Sequence, residues 1–174
     1  AAYRRLRPGL HAPLLGRGAE GHRRARLLPP RLLHGRPVRA HGGVDALAGS
    51  GNLLKRNAIF SNTGLGIDLG GDGVTVNDAG DGDSGPNNLL NHPVLTSAIS
   101  DASTSIIEGT LDGMPATSHT VELFSSPQCD SSGSGEVRQF LASQTVTTDA
   151  MGMAGFTFSY PFPLPLGVYL TAPA

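Results

Sequence analysis

The chain has 174 residues, enough for one domain or two small ones with a buried core. Charged residues make up 16% and aromatics 5%, while 24 glycines and 13 prolines make turns frequent and long helices improbable. A single cysteine, Cys129, excludes an intrachain disulfide and a multi-thiolate zinc site, and no apolar run is long enough to span a membrane.

The net charge of −1 conceals a division. Residues 1–50 carry ten arginines against Glu20 and Asp45, whereas residues 51–174 carry three basic and twelve acidic side chains. The first segment is built from Arg, Leu, Pro, Gly, Ala and His without a strand or helix period, and prolines 8, 13, 29, 30 and 37 interrupt any helix. It reads as a disordered arm, or as the out-of-frame translation of a GC-rich gene. Phosphate contacts by its arginines would suit a nucleic acid, but Tyr3 is the only aromatic there to stack on a base, so nucleic acid is not the expected partner.

Composition changes at Gly51. In "GNLLKRNAIFSNTGLGIDLG" Asn52, Asn57 and Asn62 recur every fifth residue, with Ile59, Ile67 and Leu69 in short apolar pieces between bends. Asn tolerates left-handed backbone, so this pattern predicts short strands joined by tight bends in a coil that stacks on another coil.

Residues 77–88, "NDAGDGDSGPNN", set Asp78, Asp81 and Asp83 among Gly80, Gly82, Gly85 and Pro86. Carboxylates at alternate positions suit Ca²⁺, which takes six to eight oxygens; Asn87 or backbone carbonyls are candidates to add more. The EF-hand pattern is absent, and Thr75 stands where the calcium-binding nonapeptide repeat needs Asp. Two readings stand: a calcium site on Asp78, Asp81 and Asp83, or a plain crossover turn. "NHPVL" then leads inward as an extended segment, with His92 a structural or surface residue.

From Thr96 onward five strands are predicted, over 105–113, 118–126, 137–149, 155–162 and 167–173, as in an antiparallel sandwich. Val121 and Leu123, and likewise Phe156 and Phe158, alternate as core residues. The proline-rich "YPFPLPLG" points to a last strand that is short or placed at an edge. A nucleophilic Cys129 would need a basic neighbour; only Asp130 is adjacent, and His119 lies in another element. Ser125, Ser126 and the serines of 131–134 lack a nucleophile elbow.

The "GNLLKRNAIFSN", "TGLGIDLG" and "GDGVTVNDAGDGDSGPNNLLNHPVL" stretches resemble the terminal rung and closing segment of a right-handed parallel β-helix in large bacterial secreted or surface proteins. "IEGTLDGMPATSHTVELFSSPQCDSSGSGEVRQFLASQTVTTDAMGMAGFTFS" resembles the immunoglobulin-like domain that follows it. Met153 stands where that family usually has Gly or Asn. The resemblance implies an all-β chain with a terminal rung and acidic crossover over 51–95 and an immunoglobulin-like β-sandwich over 96–174; it does not reach residues 1–50, which composition places outside the fold as a disordered or mis-translated segment. It implies an extracellular or cell-surface, non-catalytic structural or adhesive module; no partner follows from the sequence, with polysaccharide or another surface protein as the candidates. A polysaccharide lyase or hydrolase fragment is the alternative, since β-helices also carry such enzymes; there the acids would be spread over several rungs. No catalytic residue or organic cofactor is implied, and calcium is the one candidate ion.

Overall fold

The computed structural model describes residues 43–130 and 133–174, together with the backbone of four short strands before residue 43. In chain order the strands are β1 (Arg4–Arg5), β2 (Ala25–Leu27), β3 (Leu32–His34), β4 (Pro37–Val38), β5 (Val44–Ala46), β6 (Leu53–Lys55), β7 (Ala58–Ile59), β8 (Ile67–Leu69), β9 (Val94–Ser100), β10 (Ser105–Asp112), β11 (Ser118–Ser126), β12 (Gln139–Thr147), β13 (Met153–Tyr160) and β14 (Tyr169–Thr171). The chain is all-β, and among the described residues the one helical element is a turn at Pro86–Leu89.

Two kinds of pairing divide the strands. Those from β2 to β8 pair in parallel: β5 between β2 and β8, β6 beside β3, and β7 beside β4. Partners lie 19, 21, 21 and 23 residues apart (25 to 44, 32 to 53, 37 to 58, 44 to 67), so each turn of chain returns to stack on the last. The bends fall where sequence places Asn and Gly, and Asn52, Asn57 and Asn62 are all buried. Arg56 and Ser61, not the asparagines, take the left-handed conformation at these bends (φ 53° and 61°).

The expectation that residues 1–50 lie outside the fold is corrected at Val44–Ala46. Val44 and Ala46 are completely buried, and Val44 N–H donates to the Gly66 carbonyl at 2.8 Å. The three residues "VDA" are too few to show a period, but a strand paired on both sides needs no more. It is corrected too at the backbone of β1 to β4, which pair with β14, β5, β6 and β7; the remaining residues before 43 lie outside the described ones.

Strands after residue 90, joined by β1, pair in antiparallel fashion into two sheets, ordered β13-β10-β9 and β1-β14-β11-β12. One core unites them: Leu95, Ile107, Leu111, Val121, Leu123, Phe156, Phe158 and Leu170 pack in a single cluster. Five strands were predicted here and a sixth is found, because β9 runs unbroken through the boundary set at 95/96. The last strand, β14, has three residues but is flanked by β1 and β11.

Gly109 marks a register shift on β10. A Cβ there would meet the Phe156 ring and lie 2.7 Å from the Val94 carbonyl oxygen. Gly109→Ala is therefore expected to cost about 1–3 kcal/mol by overpacking. A thermal melt unchanged from the parent would show that the ring swings aside freely.

Strand β11 joins the two parts because both its faces are buried. Val121 and Leu123 enter the sandwich core, while Glu122 and Phe124, on the opposite face by the two-residue period, turn toward the coil. Phe124 belongs to a second core with Val44, Ile59 and Val137, packed by Leu54, Ile67 and Phe140.

Candidate functional site

Two constellations of buried polar groups lie where coil and sandwich meet. The first is built on glutamates. Glu136, 7% exposed, accepts hydrogen bonds from Ser61 N–H (2.7 Å), Asn62 N–H (2.8 Å) and Asn62 Nδ2 (2.7 Å). Glu122, also buried, accepts from Arg56 N–H at 2.9 Å. Amides at left-handed bends point outward with no ladder partner, and a carboxylate is the strongest acceptor for them. Ile59 and Val137 exchange backbone hydrogen bonds beside them. Arg56 stacks over Phe140 (4.9 Å) and Arg138 over Phe60 (4.8 Å), one cation from each side of the seam.

The second constellation is the acidic crossover. One oxygen from each of Asp78, Asp81 and Asp83 lies within 4.8 Å of the others. The glycines let the chain turn tightly; Gly80 has φ 74°, and Asp81 itself has φ 53°. Asp78 Oδ2 accepts from Gly82 N–H (3.0 Å), and Asp81 Oδ1 from Asn91 N–H (2.7 Å). Asp78 Oδ1 and Asp83 Oδ1 are enclosed and accept no hydrogen bond.

Asn91, 3% exposed, holds this loop to the sandwich. Its Oδ1 accepts from Asp78 N–H (2.9 Å), and its Nδ2 donates to the carbonyls of Asp78 (2.6 Å) and Asp112 (2.9 Å). Asp112 Oδ1, at the end of β10, accepts from Gly80 N–H at 2.9 Å. Asn77 and His92 add a reciprocal pair: Asn77 Nδ2 donates to the His92 carbonyl and His92 N–H to Asn77 Oδ1.

Electrostatically the cluster is one-sided. Two carboxylates at 4.8 Å repel by about 3 kcal/mol at an effective dielectric of about 20. The cations of residues 51–174 are engaged elsewhere, Arg56 and Arg138 on rings and Lys55 in a long contact with Thr120 Oγ1. Burial, reinforced by Asp83 and Asp78, pushes the Asp81 carboxyl up against the opposing Asn91 hydrogen bond; His119 pulls it slightly down.

Of the oxygens considered from sequence, Asn87 is not in this cluster. Its side chain forms a reciprocal pair with the backbone of Asn52 (both 2.8 Å), tying the crossover to the coil. Asn91, Asp112, Glu122 and Glu136 were missed as site residues. Nothing in the loop sequence "SGSGE" distinguishes Glu136 from a solvated glutamate, whereas Asn91 before "HP" carried a local signal, an amide beside an enforced extended backbone.

Cys129 and His119 are not brought together. His119 sits at the start of β11, about 23 Å along the strand from its end at Ser126, and Cys129 lies beyond that end. Slight desolvation and the Asp130 carboxylate push the exposed thiol up, opposite to what a nucleophile needs.

Half-buried His92 gives a pH signature. Burial lowers its imidazole from 6.5 to about 4, so the folded chain stays neutral there where the unfolded chain takes a proton. Stability is expected to be flat above pH 6.5 from this group, to fall as pH drops toward 4, and to change no further below. Melting temperatures of the parent and His92→Gln should converge across that window; parallel profiles would contradict the assignment.

A cleft of about 600 Å³ separates coil from sandwich, with Leu53, Lys55, Val74, Asp81, His119 and Glu122 on its walls. Among the described residues no helix is long and apolar enough to cross a membrane. No protein-family model matches the chain, and no curated protein is detectably similar to it.

Proposed function

We propose that this chain is a structural or adhesive module of an exported bacterial surface or secreted protein, made of the end of a right-handed parallel β-helix capped by an immunoglobulin-like β-sandwich. The observation that carries the reading is the seam. Glu122 and Glu136 of the sandwich satisfy the outward amides of the coil's bends, and Phe124 fills the coil's interior. A short stack of coils cannot bury its own end, since each repeat depends on its neighbours. A domain that plugs that end with carboxylates and an aromatic ring converts the stack into a stiff stalk. The parallel returns every 19 to 23 residues support the β-helix half, and the two antiparallel sheets around one core support the other. Export rests on the sequence resemblance.

Limited proteolysis of the full chain, read by intact mass, tests this. A rigid module should leave residues from about 43 to 174 as one resistant body. Early cleavage between residues 63 and 91 that frees the sandwich would contradict it. Release of reducing ends or unsaturated sugars from acidic or neutral polysaccharides would instead support the enzyme alternative.

A further inference from the structure

We propose that residues 74–76, Val-Thr-Val, are a strap that closes onto β6 and completes the last turn of the coil, and that Asp68 latches the strap open. The turn of coil made by β5, β6 and β7 is covered unevenly. β8 pairs on β5, and Val137 exchanges backbone hydrogen bonds with Ile59 of β7, but no described strand pairs with the outer edge of β6. Side chains close that edge only at its two ends. Asn87 exchanges hydrogen bonds with the backbone of Asn52, and Glu122 accepts from Arg56 N–H. Leu53–Lys55, between these ends, line the cleft.

The chain carries a strand that fits this slot. β3 and β6 pair 21 residues apart, and the same step from Leu53 reaches Val74. Residues 74–76 are all β-branched, the composition of a strand, yet they belong to none. Val74 is 56% and Val76 78% exposed, and Val74 and Thr75 stand on the wall of the same cleft as Leu53, itself 44% exposed. Laid beside β6 in that register, Val74 meets Leu53 and both leave water, while the open edge gains a ladder partner.

Contacts at both ends of the strap hold the open form. Asp68 Oδ1 accepts from Gly71 N–H and Asp68 Oδ2 from Gly73 N–H, both at 3.1 Å, and Asn77 forms its reciprocal pair with His92. Gly71 and Gly73 have φ 76° and 114°, so the bend that keeps the strap off β6 is one that other residues rarely adopt. The Asp68 contacts belong to the open form and the β6 ladder to the closed one, and such a difference in contacts sets a two-state balance. Closure fills the cleft, so the strap governs access to it. The inference needs the parallel pairing of the coil and no adhesive role, so it stands or falls apart from that reading.

The test is disulfide trapping in the full chain carrying Cys129→Ser, Leu53→Cys and Val74→Cys, equilibrated with reduced and oxidised glutathione and read by intact mass. Opposed strand residues meet the Cα separation that a disulfide needs. The intrachain disulfide should show an effective concentration at least about 100-fold higher in buffer than in denaturant, where loop closure alone favours it. Adding Asp68→Ala should raise that value about tenfold more. Equal effective concentrations in buffer and denaturant would overturn the strap, and an unchanged value in Asp68→Ala would overturn the latch. A disulfide formed between two chains would overturn closure within one chain. Hydrogen exchange without introduced cysteines decides the matter if the cysteine variant misfolds. Asp68→Ala should slow those amides of residues 53–55 that do not pair with β3, and adding Thr75→Pro, which removes a ladder donor, should restore the parent rate. Exchange in Asp68→Ala as fast as in the parent would overturn the strap.

Discussion

Phe124→Ala is expected to destabilise the chain by about 3–5 kcal/mol, the largest effect of any single truncation considered. Phe124 is 1% exposed and meets Phe140 edge-on with ring centroids 5.5 Å apart. Truncation removes that edge contact and leaves a void between Val44, Ile59 and Val137. These belong to two different halves of the chain, so the void cannot be closed by moving one strand. Denaturant unfolding measures the loss. A change below about 1 kcal/mol would mean that the second core contributes little and that the coil merely rests on the sandwich.

Glu136→Ala is expected to cost about 2–4 kcal/mol, because Ser61 N–H, Asn62 N–H and Asn62 Nδ2 lose a charged acceptor in a water-poor seam. Glu136→Gln should fall between parent and alanine. Its amide oxygen replaces one acceptor, but its NH₂ group faces a donor. A double-mutant cycle of Glu136→Ala with Asn62→Ala should show coupling of about 1 kcal/mol or more. Additive losses would place the stabilisation elsewhere.

The strand half was the more legible part of the sequence. Val121, Leu123, Phe156 and Phe158 alternate with polar residues, and all four are buried. Alternation works there because each strand has one core face. It said less about Phe124 and Glu122, whose face of β11 is buried only because the coil covers it. A glutamate buried by a distant segment looks like any surface glutamate in sequence. Strand β9 escaped for a related reason: "VLTSAIS" carries a register shift beside Gly109, which breaks the two-residue period after Leu95.

The coil was legible in its bends more than in its pairings. Asparagines at 52, 57 and 62 marked the corners, but not the distant partners: Asn52, besides its local bonds to the Ala48 and Gly49 carbonyls, pairs with Asn87, and Asn62 with Glu136. The acidic crossover showed its composition and not its brace. The aspartates stood out in the sequence, whereas Asn91 and Asp112 are drawn in by folding across 13 to 32 residues.

Hydrogen exchange of the full chain tests the central claim most directly, by comparing amides of residues 56, 61 and 62 with those of Val121 and Leu123. If sandwich and coil form one stiff unit, both sets should be protected to a similar free energy, and Glu136→Ala should release the coil amides first. Coil amides that exchange freely in the parent while β11 stays protected would contradict the account.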